Sequence, residues 1–209
     1  AMNLPLLFVF FLPLVPALGQ FYEWARPEHV AHDALLRVKA PYLNVPFFLG
    51  RWVFFFAAWS FLAWYFWKRS TAQDQSGDPA LSQAMERTAG PTMVLFAITL
   101  NFASFDLLMS LAPHWYSTIF GVYIFSGGMV GFFALLPLVV GLLQRSGRLG
   151  GITDEHWHDF GKLAFAFTVF WAYIAFCQFM LIWYANLTEE TVWFLPRTSG
   201  AWLPVSWLL

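Results

Sequence analysis

Residues 92–111 read TMVLFAITLNFASFDLLMSL, a run of twenty residues in which the only charged side chain is that of Asp106. An α-helix rises 1.5 Å per residue, so about 20 mostly apolar residues are needed to cross the roughly 30 Å hydrocarbon core of a bilayer. The stretch therefore predicts a membrane-spanning helix that carries one ionisable group.

Other runs along the chain meet or approach the same length requirement. They cover residues 4–19, 44–67, 117–142 and 160–187, and a partial run lies at 201–209. Together they predict an all-α membrane protein, a transmembrane helix bundle of about five full spans plus a partial one, in a single domain over residues 1–209. Because apolar runs stand at both ends, we expect the chain to be a fragment of a longer polypeptide.

Composition agrees with this reading and excludes several classes of function. The chain is 59% hydrophobic and 11% charged, whereas a soluble domain carries roughly 25% charged residues. This composition indicates that lipid is the main solvent of the chain. The net charge is -1 and the basic residues are scattered, so we expect no nucleic acid as a partner. A single cysteine, Cys177, excludes a disulfide framework, a four-thiolate cluster and the two-cysteine attachment of a haem c.

The connections differ in character. Residues 68–91 are the most soluble part, with a turn-rich linker at Asp74 to Pro79, and residues 29–39 predict an amphipathic helix at the membrane surface. The Lys and Arg residues near the span ends number six on one side and five on the other. This balance leans only slightly towards a cytoplasmic position for the 68–91 and 143–160 loops.

Asp106 is the main candidate for chemistry, because burying an ionised carboxylate in a bilayer costs about 2.5–3.5 kcal/mol on insertion scales. The other candidates for a proton pathway are polar residues on the same helix and one on the next: Thr99, Ser110, Asn101, Ser104 and Tyr123. Asp106 is open to three interpretations, namely a hydrogen-bonded packing residue, a proton-handling group and a direct contact to a quinone. Ordinary hydrogen bonding within the bundle is an equally simple explanation of the neighbouring polar residues.

All five histidines lie in loops or at span ends, so none can ligate a haem b at membrane depth. His114, Trp115 and Tyr116 stand together at an expected interface, where they are candidates for contact with a quinone headgroup or for interfacial anchoring. His156 with His158, and His29 with His32, favour solvated helix faces over metal sites. We therefore expect no metal site and no cofactor bound by this chain.

Four stretches resemble one family. The run Asp106 to Gly121, D-L-L-M-S-L-A-P-H-W-Y-S-T-I-F-G, resembles the integral membrane subunits of alternative complex III, a bacterial quinol:electron-acceptor oxidoreductase. Three more resemble its F-type subunit: His32-Asp33 leading to Lys39-Ala40-Pro41-Tyr42-Leu43-Asn44, Gln73-Asp74 through Gly77-Asp78-Pro79-Ala80-Leu81, and His158-Asp159-Phe160-Gly161-Lys162 running to Tyr184-Ala185-Asn186 and Glu189-Glu190.

The resemblance implies a non-catalytic membrane subunit, within the polysulfide-reductase membrane-subunit superfamily, of a respiratory complex in the bacterial inner membrane. It implies partner subunits that hold quinol, haem c and iron–sulfur clusters, and a match to the C-terminal portion of an F-type subunit. The alternatives are a quinol-binding subunit of the same superfamily and, from another class, a stand-alone transporter or channel, which the mainly nonpolar spans disfavour.

Overall fold

The structure is a computed structural model that describes residues 3–208, with side chains up to Ser206. Within that range the chain forms helices and turns and no strand. The α-helices of the described residues are α1 (Leu4–Phe11), α2 (Leu18–Phe21), α3 (Pro27–His32), α4 (Ala34–Lys39), α5 (Val45–Ser76), α6 (Pro79–Leu107), α7 (Phe120–Arg145), α8 (Asp154–Ala185), α9 (Thr188–Thr191) and α10 (Leu203–Leu208).

Five helical segments are long and apolar enough to cross a membrane, so the all-α membrane fold predicted from the sequence is confirmed. These segments are Leu4–Phe21, Val45–Ser76, Pro79–Leu111, Phe120–Arg145 and Asp154–Ala185. Each contains one of the expected spans or nearly coincides with it. The partial run at 201–209 corresponds to α10, and its last residue, Leu209, lies outside the described residues.

The largest difference from the sequence prediction concerns residues 68–91, where we expected a helix end at Lys68 and Arg69, a linker at Asp74 to Pro79 and a short surface helix at Leu81 to Arg87. Instead α5 continues to Ser76 and α6 begins at Pro79. Gly77 ends α5 in the left-handed conformation, with φ of 66°, and the Asp78 side chain accepts a hydrogen bond from the Ala80 N–H at the start of α6. The turn residues located the turn correctly, but polar residues on either side extend the helices, because a helix in water tolerates them as well as a loop does.

Two compact units make up the chain, one ending at Tyr116 and the other beginning at Ser117. In the first unit α5 packs against α6 and against α1. Its core is a cluster of buried apolar and aromatic residues: Leu18, Tyr22, Trp24, Leu36, Leu43, Phe48 and Trp52. This cluster fixes the segment between the first two spans against the start of α5.

The segment expected as one amphipathic helix over residues 29–39 forms two short helices, α3 and α4. They meet at Asp33, whose backbone is extended and whose carboxylate accepts hydrogen bonds from the N–H groups of Leu35 and Leu36. Asp33 is therefore the N-cap of α4, a role in which a short acidic side chain competes with helix continuation.

In the second unit α7 packs along α8. Gly127 permits a close approach, since a side chain there would place its Cβ atom only 3.3 Å from the indole nitrogen of Trp171. Further along, the rings of Phe133 and Phe167 stack with centroids 5.4 Å apart. Small residues and stacked rings thus set the contact between the two helices, as in other membrane bundles.

Candidate functional site

Asp106 forms a buried ion pair with Arg51 in the first unit. The Arg51 Nε donates to Asp106 Oδ2 at 2.7 Å, and Arg51 Nη2 donates to Oδ1 at 2.9 Å. The Asp106 side chain is 0% exposed and that of Arg51 is 11% exposed. Two parallel bonds between a guanidinium and a carboxylate form the strongest geometry for such a pair, and they compensate the charge of Asp106 at membrane depth.

Arg51 is fixed by three further contacts. Its Nη1 donates to the Tyr42 carbonyl oxygen at 3.1 Å, and its guanidinium carbon lies 3.9 Å from the Tyr42 ring centroid and 4.2 Å from that of Phe47. Guanidinium groups stack on aromatic faces because the ring quadrupole attracts the cation. Arg51 therefore connects the end of α6 to the segment that precedes α5.

Sequence reasoning missed this partner. Arg51 is one of the basic residues near the span ends, and the sequence alone gives Asp106 no partner. A signal was available, because Arg51 is the only charged residue in the expected span 44–67. A second isolated charge of opposite sign within another span points to a partner.

The proton-pathway candidates of α6 and the following turn each donate a hydrogen bond to a backbone carbonyl. Thr99 Oγ1 donates to the Leu95 carbonyl, Asn101 Nδ2 to Ala97, Ser104 Oγ to Leu100, and Ser110 Oγ to Asp106, in each case four residues back. Thr99 Oγ1 also accepts a hydrogen bond from the indole of Trp59 at 2.9 Å. Thr99, Ser104 and Ser110 are buried with Asp106, while Asn101 is half-buried.

Tyr123 belongs to the second unit, at the start of α7. Its ring stacks on that of Trp171 with centroids 6.1 Å apart, and its carbonyl accepts a hydrogen bond from the buried Ser126 hydroxyl. These contacts hold Tyr123 in the packing of α7 on α8.

His114 pairs with Asp33, since its Nε2 lies 2.5 Å from Asp33 Oδ2. This hydrogen bond is the largest cause that lowers the pKa of Asp33, followed by its bonds to the backbone of α4. The contact joins the loop after α6 to the N-cap of α4. His114 thus faces a carboxylate at the surface.

Trp115 and Tyr116 lie beside a mainly apolar cavity of about 350 Å³ in the first unit. Its lining consists of Lys39, Tyr42, Leu43, Phe105, Met109, Ser110, Pro113, Trp115 and Tyr116. Trp115 is buried, whereas Tyr116 is 68% exposed and forms part of the opening. His114 is not among the lining residues, so the three candidate residues for quinone contact divide between the cavity and the surface pair.

Three polar groups of the cavity wall are Lys39, Tyr42 and Ser110. Lys39 Nζ donates to the Pro113 carbonyl at 2.5 Å and lies 5.6 Å from the Tyr116 ring centroid. Burial lowers the pKa of Lys39, and the charge of Asp33 partly opposes that shift. Burial also raises the pKa of Tyr42 to about 12, with the charge of Asp106 as the second cause, so the phenol stays protonated and can donate at neutral pH.

Among residues 3–208, no group of three His, Cys, Asp or Glu side chains is arranged to hold a metal ion. A comparison with models of known families and with curated proteins finds no match to this chain. The family named from the sequence therefore stays a resemblance, and the function is argued from the site.

The buried pair gives the first prediction. Replacing either Arg51 or Asp106 by leucine leaves one charge buried without its partner, which costs about 3–5 kcal/mol in unfolding free energy. The double variant R51L/D106L removes both charges, so we expect it to recover most of that loss. The unfolding free energy of all three variants is measured by circular dichroism as each purified protein unfolds in mixed micelles.

The matched control is the exposed pair Lys162–Asp159, whose atoms lie 3.1 Å apart on α8. Replacing Lys162 by leucine should change the unfolding free energy by less than about 1 kcal/mol, as is usual for exposed pairs. Single variants at Arg51 or Asp106 that are no more costly than this control contradict a structural role for the buried pair.

Proposed function

We propose that this chain is a membrane subunit of a quinol-oxidising respiratory complex of the alternative complex III kind, in the bacterial inner membrane. In this proposal its role is structural, with a proton half-pathway at Asp106. Electrons pass through partner subunits that carry haem c and iron–sulfur clusters, and a partner membrane subunit binds the quinol.

One observation carries the proposal. Two of the stretches that resemble the family are separated by more than sixty residues in the chain, and their side chains meet in the first unit. Asp33 pairs with His114, Lys39 donates to Pro113, and Arg51 joins Asp106 to the carbonyl of Tyr42. Residues of these two stretches thus lie at one place in the fold, around the buried pair and the cavity beside it.

A proton role for Asp106 requires its ion pair to open, because both carboxylate oxygens accept bonds from Arg51. The hydroxyls of Thr99, Ser104 and Ser110 each donate to a carbonyl of the same helix. Proton transfer between these three hydroxyls and Asp106 therefore needs the hydroxyls to rotate and needs intervening water. Asn101 can take part only as a hydrogen-bonding neighbour, because an amide does not exchange its protons readily.

The cavity favours a second candidate function, contact with a quinone. A quinone head is a flat apolar ring with two carbonyl oxygens, and the cavity offers apolar and aromatic walls with Tyr42 and Ser110 hydroxyls. The Lys39 ammonium has three N–H donors, of which one binds the Pro113 carbonyl. Sites for small ligands commonly combine an apolar wall with a few polar groups in this way.

The main proposal predicts which proteins stay bound to the chain during purification. Extraction of the tagged chain from its native membrane in mild detergent should copurify subunits that bear haem c and iron–sulfur clusters, identified by mass spectrometry and by haem absorbance. A chain that purifies without any redox subunit, while an unrelated respiratory complex stays intact in the same extract, contradicts the proposal.

The double variant R51L/D106L tests the proton role, because it removes the carboxylate without leaving a charge unpaired. If Asp106 conducts protons, complexes that contain this variant should assemble normally and release fewer protons per quinol oxidised. A pH-sensitive dye in proteoliposomes measures the release. Normal assembly together with unchanged proton release and turnover overturns the role.

The second candidate predicts that a photoreactive short-chain quinone labels peptides from residues 39–43 and 105–116, which line the cavity. Met109→Trp fills the cavity, and because overpacking costs about 1–3 kcal/mol, we expect labelling to fall by about tenfold. Leu108→Phe is the matched control, since Leu108 is exposed and lies outside the cavity wall. Labelling confined to peptides outside 39–43 and 105–116, or equal labelling of the two variants, excludes the cavity as a quinone site.

A further inference from the structure

A groove of about 600 Å³ lies in the second unit between the end of α7 and the start of α8. Its lining consists of Pro137, Leu138, Gly141, Leu142, Gln144, Arg145 and Trp157. The groove shares no residue with the cavity beside Asp106, and the proposed function assigns it no role.

The chemistry of the groove changes along its length. Pro137, Leu138 and Leu142 make one end apolar, and Leu138 and Leu142 are 65% and 66% exposed. Gln144 and Arg145, in the last turn of α7, make the other end polar and basic. The helical rise places Pro137 about 12 Å from Arg145, so the groove offers an apolar wall that leads to a charged end.

Trp157 closes one side of the groove, and Gly141 allows it to do so. A Cβ atom added at Gly141 would lie 3.4 Å from the Trp157 ring, so a larger side chain there would project into the groove. Tryptophan prefers the boundary between hydrocarbon and water, where its ring meets both lipid tails and headgroups. We therefore expect the groove to open at the depth where a phospholipid phosphate lies.

The charges at the polar end have one sign. The sequence has no Asp or Glu between Phe120 and Thr153, and Arg148 follows Arg145 in the loop after α7. The ion pairs among the described residues join Arg51 to Asp106, His114 to Asp33 and Lys162 to Asp159, so neither Arg145 nor Arg148 takes part in one.

The nearest acidic residues of α8 line a different depression. Asp154, Glu155 and Asp159 border it together with His158 and Lys162, whereas Trp157 is the α8 residue that lines the groove. The basic end of the groove is therefore not neutralised by the residues that line it.

From this arrangement we propose that the groove binds an anionic phospholipid, with one acyl chain along Leu138 and Leu142 and the phosphate at Arg145. Basic pockets between membrane helices bind anionic headgroups in this way. A zwitterionic lipid places its own cation among Arg145 and Arg148, so the groove selects for net negative charge. The proposal does not depend on membership of a respiratory complex.

Native mass spectrometry of the full chain in detergent tests the proposal. Phosphatidylglycerol and phosphatidylcholine are added separately, and inorganic phosphate is then added to the complex with phosphatidylglycerol. We expect phosphatidylglycerol to bind more tightly than phosphatidylcholine, and inorganic phosphate not to displace it. One basic residue near a membrane surface contributes about 1 kcal/mol to such binding, so Arg145→Gln should weaken phosphatidylglycerol binding by about fivefold.

The matched control is Arg69→Gln, since Arg69 lies near the end of α5 with its guanidinium over Tyr65 and outside the groove. It should bind phosphatidylglycerol as the unaltered chain does. Gly141→Leu is an independent variant that keeps every charge and fills the apolar end, and it should weaken binding as well.

Three results overturn the proposal. They are equal affinity for the two lipids in the unaltered chain, displacement of phosphatidylglycerol by inorganic phosphate, and equal binding by Arg145→Gln and Arg69→Gln. The first two need no variant, so they decide the matter even if a substitution prevents folding.

Discussion

The arrangement of the first unit depends on one electrostatic constraint, the compensation of two charges that α5 and α6 bring into a span. Arg51 and Asp106 meet through two hydrogen bonds, and neither is well exposed. A lone charge at that depth is costly, whereas the pair is tolerated, so the two helices must meet in one register. The Tyr42 ring, on which the Arg51 guanidinium lies, then ties the chain before α5 to the same place.

Much of the fold could be predicted from the sequence, because the length of an apolar run reflects the thickness of a bilayer. All five spans were located in this way, and Gly77 with Asp78 marked the turn between two of them. The helix ends were less predictable, since polar residues such as those of 68–76 are compatible with a loop and with a helix that continues into water. The break at Asp33 was missed for a related reason, because apolar periodicity does not reveal a local hydrogen bond from a side chain to the backbone.

The candidate site was only partly predictable. Asp106 stands out in the sequence because it is a single acid in an apolar run, and the structure buries it fully. Its partner lies 55 residues away in the sequence, and no local pattern measures such a distance. The cavity is likewise a product of tertiary structure, since Lys39 and Tyr42 come from the segment before α5 and Ser110 comes from the turn after α6. His114 illustrates the reverse case, in which adjacency to Trp115 and Tyr116 suggested a common role while the fold turns it towards Asp33.

The sequence separation of the buried pair also bears on how the protein is made. A ribosome adds about 5–20 residues per second, so Arg51 is synthesised some 3–11 s before Asp106. During that interval the leading helix has no carboxylate from α6 to meet. Arg51 lies in the second turn of α5, where its long side chain can extend towards the headgroups until α6 is inserted. Final docking of the arginine thus becomes a late event in biogenesis, set by the arrival of the following helix.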